Sequence, residues 1–209
     1  MKTILSALIT VAILAAPATA PSAHSVGDTS GIVSALHAGG YVVLVRHGAT
    51  FSNQADTEPY NLADVSKQRN LNDKGKDLAK VFGAAIRAAG VPIGQVYTSQ
   101  FNRAYETALL AGFNNIQKTI DLSEGGLVVT PDENSRRAQA LRTMLAKTPA
   151  DGKNDILVTH KPNIIDALGK DWFDVKEGEA SIFKPEGGRY RLVARVQMED
   201  WPRLTSAGR

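Results

Sequence analysis

The stretch YVVLVRHGATFSN, residues 41–53, decides how the chain is read. Its first five residues are apolar and three of them are β-branched valines, the pattern of a strand buried on both faces. Arg46 and His47 follow at once, two polar and potentially cationic side chains, and then Gly48. In an open parallel sheet, ligands bind beyond the carboxyl ends of the strands, so side chains placed there are candidates for chemistry. Two further runs repeat the arrangement. IGQVYTS (93–99) ends on Thr98 and Ser99, with Arg103 in the opening turn of the next helix, and DILVT (155–159) leads into His160 and Lys161. Two histidines and two arginines therefore converge on one edge of the sheet.

The segments between these runs are helical. TSGIVSALHAGG predicts a short helix capped by Thr29 or Ser30, with His37 as a surface residue in its last turn. NDKGKDLAKVFGAAIRAAG places Leu78, Val81, Phe82 and Ile86 at helical spacing, with Asn72 as cap and Gly90 as stop. NRAYETALLAGF and SRRAQALRTMLAK give two more helices, and KPNIIDALG a short one starting near Asn163. GLVVT (126–130) reads as a third strand, and ASIFKPEGGRYRLVARV as a hairpin turning at Pro-Glu-Gly-Gly. Strands alternating with helices predict an α/β fold: a three-layer αβα sandwich with a mostly parallel central sheet and a C-terminal β-hairpin.

Composition narrows the function. The 209 residues are 43% hydrophobic and 22% charged, with a formal net charge of +3 and 6% aromatics. No long basic run occurs, and the loose cluster Arg136, Arg137 and Arg142 reads as a solvated helix face, so no nucleic acid is expected as partner. Lys2, the apolar stretch from Ile4 to Ala16 and the small residues of AAPATAPSA read as a signal peptide over residues 1–18, extending at most to about 20–23. A linker is expected over 19–28 and one domain over 29–209. The apolar stretch is shorter than the roughly 20 residues of a span, so no stable membrane insertion is expected, and the localisation is read as periplasmic or secreted. The chain has no cysteine, which excludes disulfides and cysteine-built zinc sites.

A strand-end pocket with fixed positive charge, helix N-termini and few carboxylates suits a phosphoryl group. A histidine beside arginines is a nucleophile candidate, because nearby positive charge favours neutral imidazole with a free lone pair. Two histidines alone do not make a metal site beside arginines, so no metal and no cofactor are expected.

RHGATFSN resembles the R-H-G-x-T-x-x-N signature of the histidine phosphatase superfamily, the phosphoglycerate mutase-like group. RNLNDKG, YTSQFNRAYETA and LVTHKPNI resemble further pieces of that family in its order, spanning about residues 41–165. The resemblance implies a covalent phosphohistidine on His47, with Arg46, Arg103 and His160 holding the phosphate. It also implies Gly48, Thr50, Asn53 and Ser99 around the substrate. The activity implied is that of an exported phosphomonoesterase acting on a phosphorylated small molecule or an envelope phosphosugar. The alternatives are a non-catalytic phosphate-binding protein and a phosphohistidine-protein phosphatase that lacks a general acid.

The proton donor is the open assignment. The acid phosphatase and phytase branch carries an aspartate directly after the second histidine, where this chain has Lys161. Glu133 is the candidate between the second arginine and second histidine, with Glu124 and Asp132 close to it. Glu177 and Glu179 precede the hairpin, and Glu179 is preferred because an adjacent glycine and a strand start fix its place.

Overall fold

The computed structural model describes residues 31–125 and 128–207. The signal peptide, the linker and the helix caps Thr29 and Ser30 lie outside the described residues. In chain order the elements are α1 (Ile32–Ala38), β1 (Val42–Arg46), α2 (Asp73–Ala88), β2 (Ile93–Ser99), α3 (Asn102–Leu110), β3 (Ile116–Thr119), α4 (Pro131–Ala146), β4 (Asn154–Thr159), α5 (Lys161–Leu168), β5 (Glu179–Glu186), β6 (Arg189–Gln197) and α6 (Trp201–Ala207). The six strands form one sheet in the order β3-β2-β4-β1-β5-β6. The first four in that order run parallel and a C-terminal hairpin is present, as the sequence predicts; the hairpin β5–β6 joins β1 antiparallel.

Alternation along β1 divides the core. Val43 and Val45 pack with Phe82 and Ile86 of α2, Ala104 and Ala108 of α3, and Trp201 of α6. Val42 and Leu44 face Leu141 and Leu145 of α4 and Ile164 of α5. Helices therefore cover both faces, and a run of consecutive apolar residues is what such a strand requires. No helix among the described residues is long and apolar enough to cross a membrane.

Four expectations change. Val128–Thr130 form no strand, and Gly126 and Leu127 lie outside the described residues; the third strand is β3, earlier in the chain. β3 is an edge strand with polar residues at its centre, so it carries no apolar run to announce it. Helix α4 starts at Pro131, where Thr130 accepts a hydrogen bond from the Glu133 backbone N–H. Val81 is exposed on α2, whose inner face is built instead on Ala79, Phe82, Gly83 and Ile86. Arg137 is buried rather than solvated, donating to Glu133 and to the Ser123 carbonyl.

Candidate active site

The carboxyl ends of β1, β2 and β4 meet at one place. His47 is tied there from two sides. Its backbone N–H donates to Thr159 O at 3.0 Å, and Gly178 N–H donates to both Arg46 O and His47 O at 3.1 and 2.9 Å. Gly178 sits at φ +75, a left-handed conformation that glycine adopts without strain. Gly48 is held by Thr107 of α3, whose hydroxyl accepts from Gly48 N–H at 3.0 Å and donates to Arg103 O at 2.7 Å. The role of Gly48 is close approach: a Cβ there would come within 3.0 Å of Gly75 O in the first turn of α2.

The His47 ring is buried, and its Nδ1 lies 2.8 Å from Gly48 O. A carbonyl can only accept, so Nδ1 carries the proton and Nε2 keeps its lone pair. Burial, followed by the charge of Arg103, lowers the imidazole pKa well below 6.5 and holds the ring neutral. His47 therefore presents a neutral imidazole whose Nε2 is the basic atom.

His160 stands at the N-cap of α5, with its ring centroid 5.2 Å from that of His47. Both of its nitrogens are engaged. Arg103 Nε donates to Nδ1 at 3.3 Å, which leaves the proton on Nε2, 2.7 Å from Ser99 Oγ. Ser99 Oγ passes a hydrogen bond to Ser123 Oγ at 3.1 Å, which donates to Thr119 O at 3.1 Å. His160 is also held neutral, by burial first and then by Arg103. Fully buried, it aligns Arg103 through Nδ1. Ser99, expected against the substrate, is fully buried and supports His160.

Arg103 is fully buried and saturated. Nη1 and Nη2 grip Asp56 at 2.9 and 3.1 Å, Nη2 also pairs with Glu124, and Nη1 donates to Arg69 O at 3.3 Å. The pocket expected to be poor in carboxylates thus contains Asp56, Glu124 and Glu177. Arg46 donates from Nη1 to Val175 O at 2.7 Å and lies 3.6 Å from Glu177, while its buried Nε has no partner among the described residues.

The proton-donor candidates separate clearly. Glu179, the preferred one, is buried and holds the hairpin: it pairs with Arg195 and accepts from Gln197 Nε2 at 3.0 Å and Lys176 N–H at 3.2 Å. A carboxylate fixed to an arginine on the neighbouring strand is a structural anchor, and the assignment moves off it. Glu133 pairs with Arg136 and Arg137, whose hydrogen bonds lower its pKa to about 2. Such an acid holds no proton near neutral pH. Glu177 accepts from Thr50 Oγ1 at 2.7 Å and stands beside Arg46. Asn53 is exposed on a turn, outside this network.

Glu124 and Asp166 are the carboxylates that line the cleft, and Glu124 is the one paired with Arg103. It follows the short 3-10 turn Ile120–Leu122, touches Arg103, and lies 3.6 Å from His160 Nδ1. It lines a cavity of about 430 Å³ together with Arg46, Arg69 and Lys161. Asp56 and Arg69 were not singled out from the sequence, and Glu124 only as a neighbour of Glu133. RNLNDKG begins at Arg69, so the motif contained one of them. Among the described residues, no group of three or more His, Cys, Asp or Glu side chains is arranged to hold a metal ion.

No curated protein sequence matches the chain. Solved structures share its fold. The protein histidine phosphatase SixA complexed with tungstate aligns with a TM-score of 0.53 at 18% identity, over 77% of this chain and 98% of that one. Phosphoserine phosphatase of Entamoeba histolytica in complex with 3-phosphoglyceric acid aligns with a TM-score of 0.54 at 16% identity, over 76% and 98%. The open reading frame Rv3214 of Mycobacterium tuberculosis aligns with a TM-score of 0.54 at 17% identity, over 76% and 98%. On this shared fold, residues 42–128, the stretch that carries Arg46, His47 and Arg103, match the Histidine phosphatase superfamily (branch 1).

Proposed function

We propose that the protein is a phosphomonoesterase in which His47 Nε2 attacks phosphorus. The observation that carries this reading is the tautomer of His47: Nδ1 is fixed on Gly48 O, so a neutral ring keeps a lone pair at Nε2, within the positive field of Arg103 and Arg46. In the first step the Nε2–P bond forms and the P–O ester bond breaks. An entering phosphate takes over Arg103 from Glu124, and the released carboxyl group, protonated from solvent, gives its proton to the departing oxygen. In the second step water attacks phosphorus, Glu124 takes back a proton, and the N–P bond breaks. Arg46 and Arg103 neutralise charge on the equatorial oxygens in both steps. The partnerless Nε of Arg46 is a buried donor that a phosphate oxygen would satisfy.

A carboxylate in the cleft beside Arg103 favours an ester hydrolase over the two acid-free alternatives. The test compares an alkyl phosphate with 4-nitrophenyl phosphate, whose leaving group needs little protonation. Glu124→Gln is expected to lower kcat for the alkyl ester by about 10²–10⁴-fold and to affect the nitrophenyl ester much less. Equal losses on both esters, or none, would remove Glu124 from the acid role.

A further inference from the structure

On the side of the sheet that α4 covers, Leu141 and Leu145 pack over Val42, Leu44 and Leu157 of β1 and β4. Beyond α4, towards the edge strands β2 and β3, the same side opens into a cavity of about 320 Å³. Its floor is apolar, built from Tyr97, Met144 and Leu157. Small-molecule sites run from roughly 300 to 1,000 Å³, so a compact ligand fits. The catalytic cleft is elsewhere: Asp155 stands near the start of β4 and His160 follows its far end, roughly 16 Å away at strand spacing.

Two opposite charges line this cavity without meeting. Asp155 is only 7% exposed, and its Oδ1 accepts from the Gln95 N–H at 2.8 Å, where β2 bulges. Its other oxygen has no hydrogen bond, and the carboxylate has no ion pair, among the described residues. Lys147, the exposed C-cap of α4, likewise has no side-chain partner among them. Burial raises the Asp155 pKa, against the Gln95 hydrogen bond and the charge of Lys147. Lys118 and Asp121 line the cavity too, but Lys118 lies over the Tyr105 ring at 4.0 Å and Asp121 pairs with Arg136.

A buried carboxylate that is only half satisfied carries a free-energy cost that a bound cation removes. A purely cationic ligand would meet Lys147, and a purely anionic one Asp155, so the pair selects a molecule with both charges. We propose that this cavity binds a zwitterion with an apolar body, the chemistry of an α-amino acid: its ammonium on Asp155, its carboxylate towards Lys147 and its side chain on the apolar floor. The site goes beyond the hydrolase reading and does not depend on it.

Calorimetric titration of the protein with phenylalanine, phenethylamine and 3-phenylpropanoate removes one ligand charge at a time. Phenylalanine is expected to bind at least about tenfold more tightly than either singly charged compound, the loss of one charge-assisted hydrogen bond. Asp155→Asn keeps an acceptor for the Gln95 N–H and is expected to weaken phenylalanine binding by at least about the same factor. Lys147→Gln, at an exposed position that leaves the fold intact, is expected to remove the preference for phenylalanine over phenethylamine. No binding of phenylalanine at millimolar concentration, equal affinity for the three compounds, or phenylalanine affinity unchanged in either variant overturns the site.

Discussion

Arg103 carries a full charge in a buried position, and the chain balances it with two carboxylates, Asp56 and Glu124. Uncompensated, such a charge would cost several kcal/mol. In the proposed reaction the same fork receives the phosphate, so an incoming anion must exchange with a carboxylate already there. Asp56→Asn keeps an oxygen for the Arg69 N–H and removes the competing charge. Inorganic phosphate is therefore expected to inhibit Asp56→Asn several-fold more strongly than the wild type, read as a lower competitive inhibition constant. Unchanged or weaker inhibition would show that Asp56 holds Arg103 in place without competing for its fork. At this scale Arg46, His47, Arg103 and His160 were legible because each follows an apolar run or sits on the helix after one. Asp56 was not, and Glu124 only as a neighbour of Glu133, because both come from irregular segments with no period to count. Glu179 misled because proximity to a strand start says nothing about which face of the sheet its carboxylate joins.

At the scale of elements, the loop after β1 and the first turn of α2 are built as one unit. Asn72 accepts from Gly75 N–H at 2.9 Å, donates from its side chain to Thr50 O at 2.9 Å, and donates its own N–H to Ala49 O at 3.0 Å. Asn72 was readable as a helix cap; its second bond, to the loop after β1, needed coordinates. Gly75 permits the contact, since a Cβ there would stand 2.1 Å from Ala49 O. Gly75→Ala must push residues 48–50 away from α2. A stability loss of about 1–3 kcal/mol is expected in urea unfolding, together with a fall in kcat as His47 moves with the loop. Gly31→Ala, with no atom within 4 Å of the added methyl group, is the control. Equal behaviour of the two variants would contradict the account. Strands with apolar runs were legible throughout, whereas β3, whose centre is Gln117 and Lys118, was not.

For the whole molecule, two neutral histidines in the interior tie stability to pH. Both imidazoles have folded pKa values well below 6.5, lowered by burial and by Arg103. Once unfolded they recover values near 6.5. Above that pH neither state binds the extra protons, so their contribution is fully present. As pH falls below about 6.5 the unfolded chain takes up protons that the folded chain refuses, and stability drops. The slope is at most about 1.4 kcal/mol per pH unit for each histidine. The melting temperature is expected to fall between pH 7 and pH 5, and to fall less steeply in His47→Asn. A flat profile, or identical slopes, would contradict the neutral assignment. The sheet order could be anticipated in class but not in detail: α6, which packs on α2, had no prediction in the sequence.

The central claim, that phosphorus is carried on His47, is tested most directly by trapping. The enzyme is mixed with a ³²P-labelled ester, quenched in alkali and digested. The expected label is stable to alkali, released by mild acid, confined to the peptide containing His47, and absent from His47→Ala. Steady turnover with no acid-labile label at any quench time, or label on another residue, would contradict it.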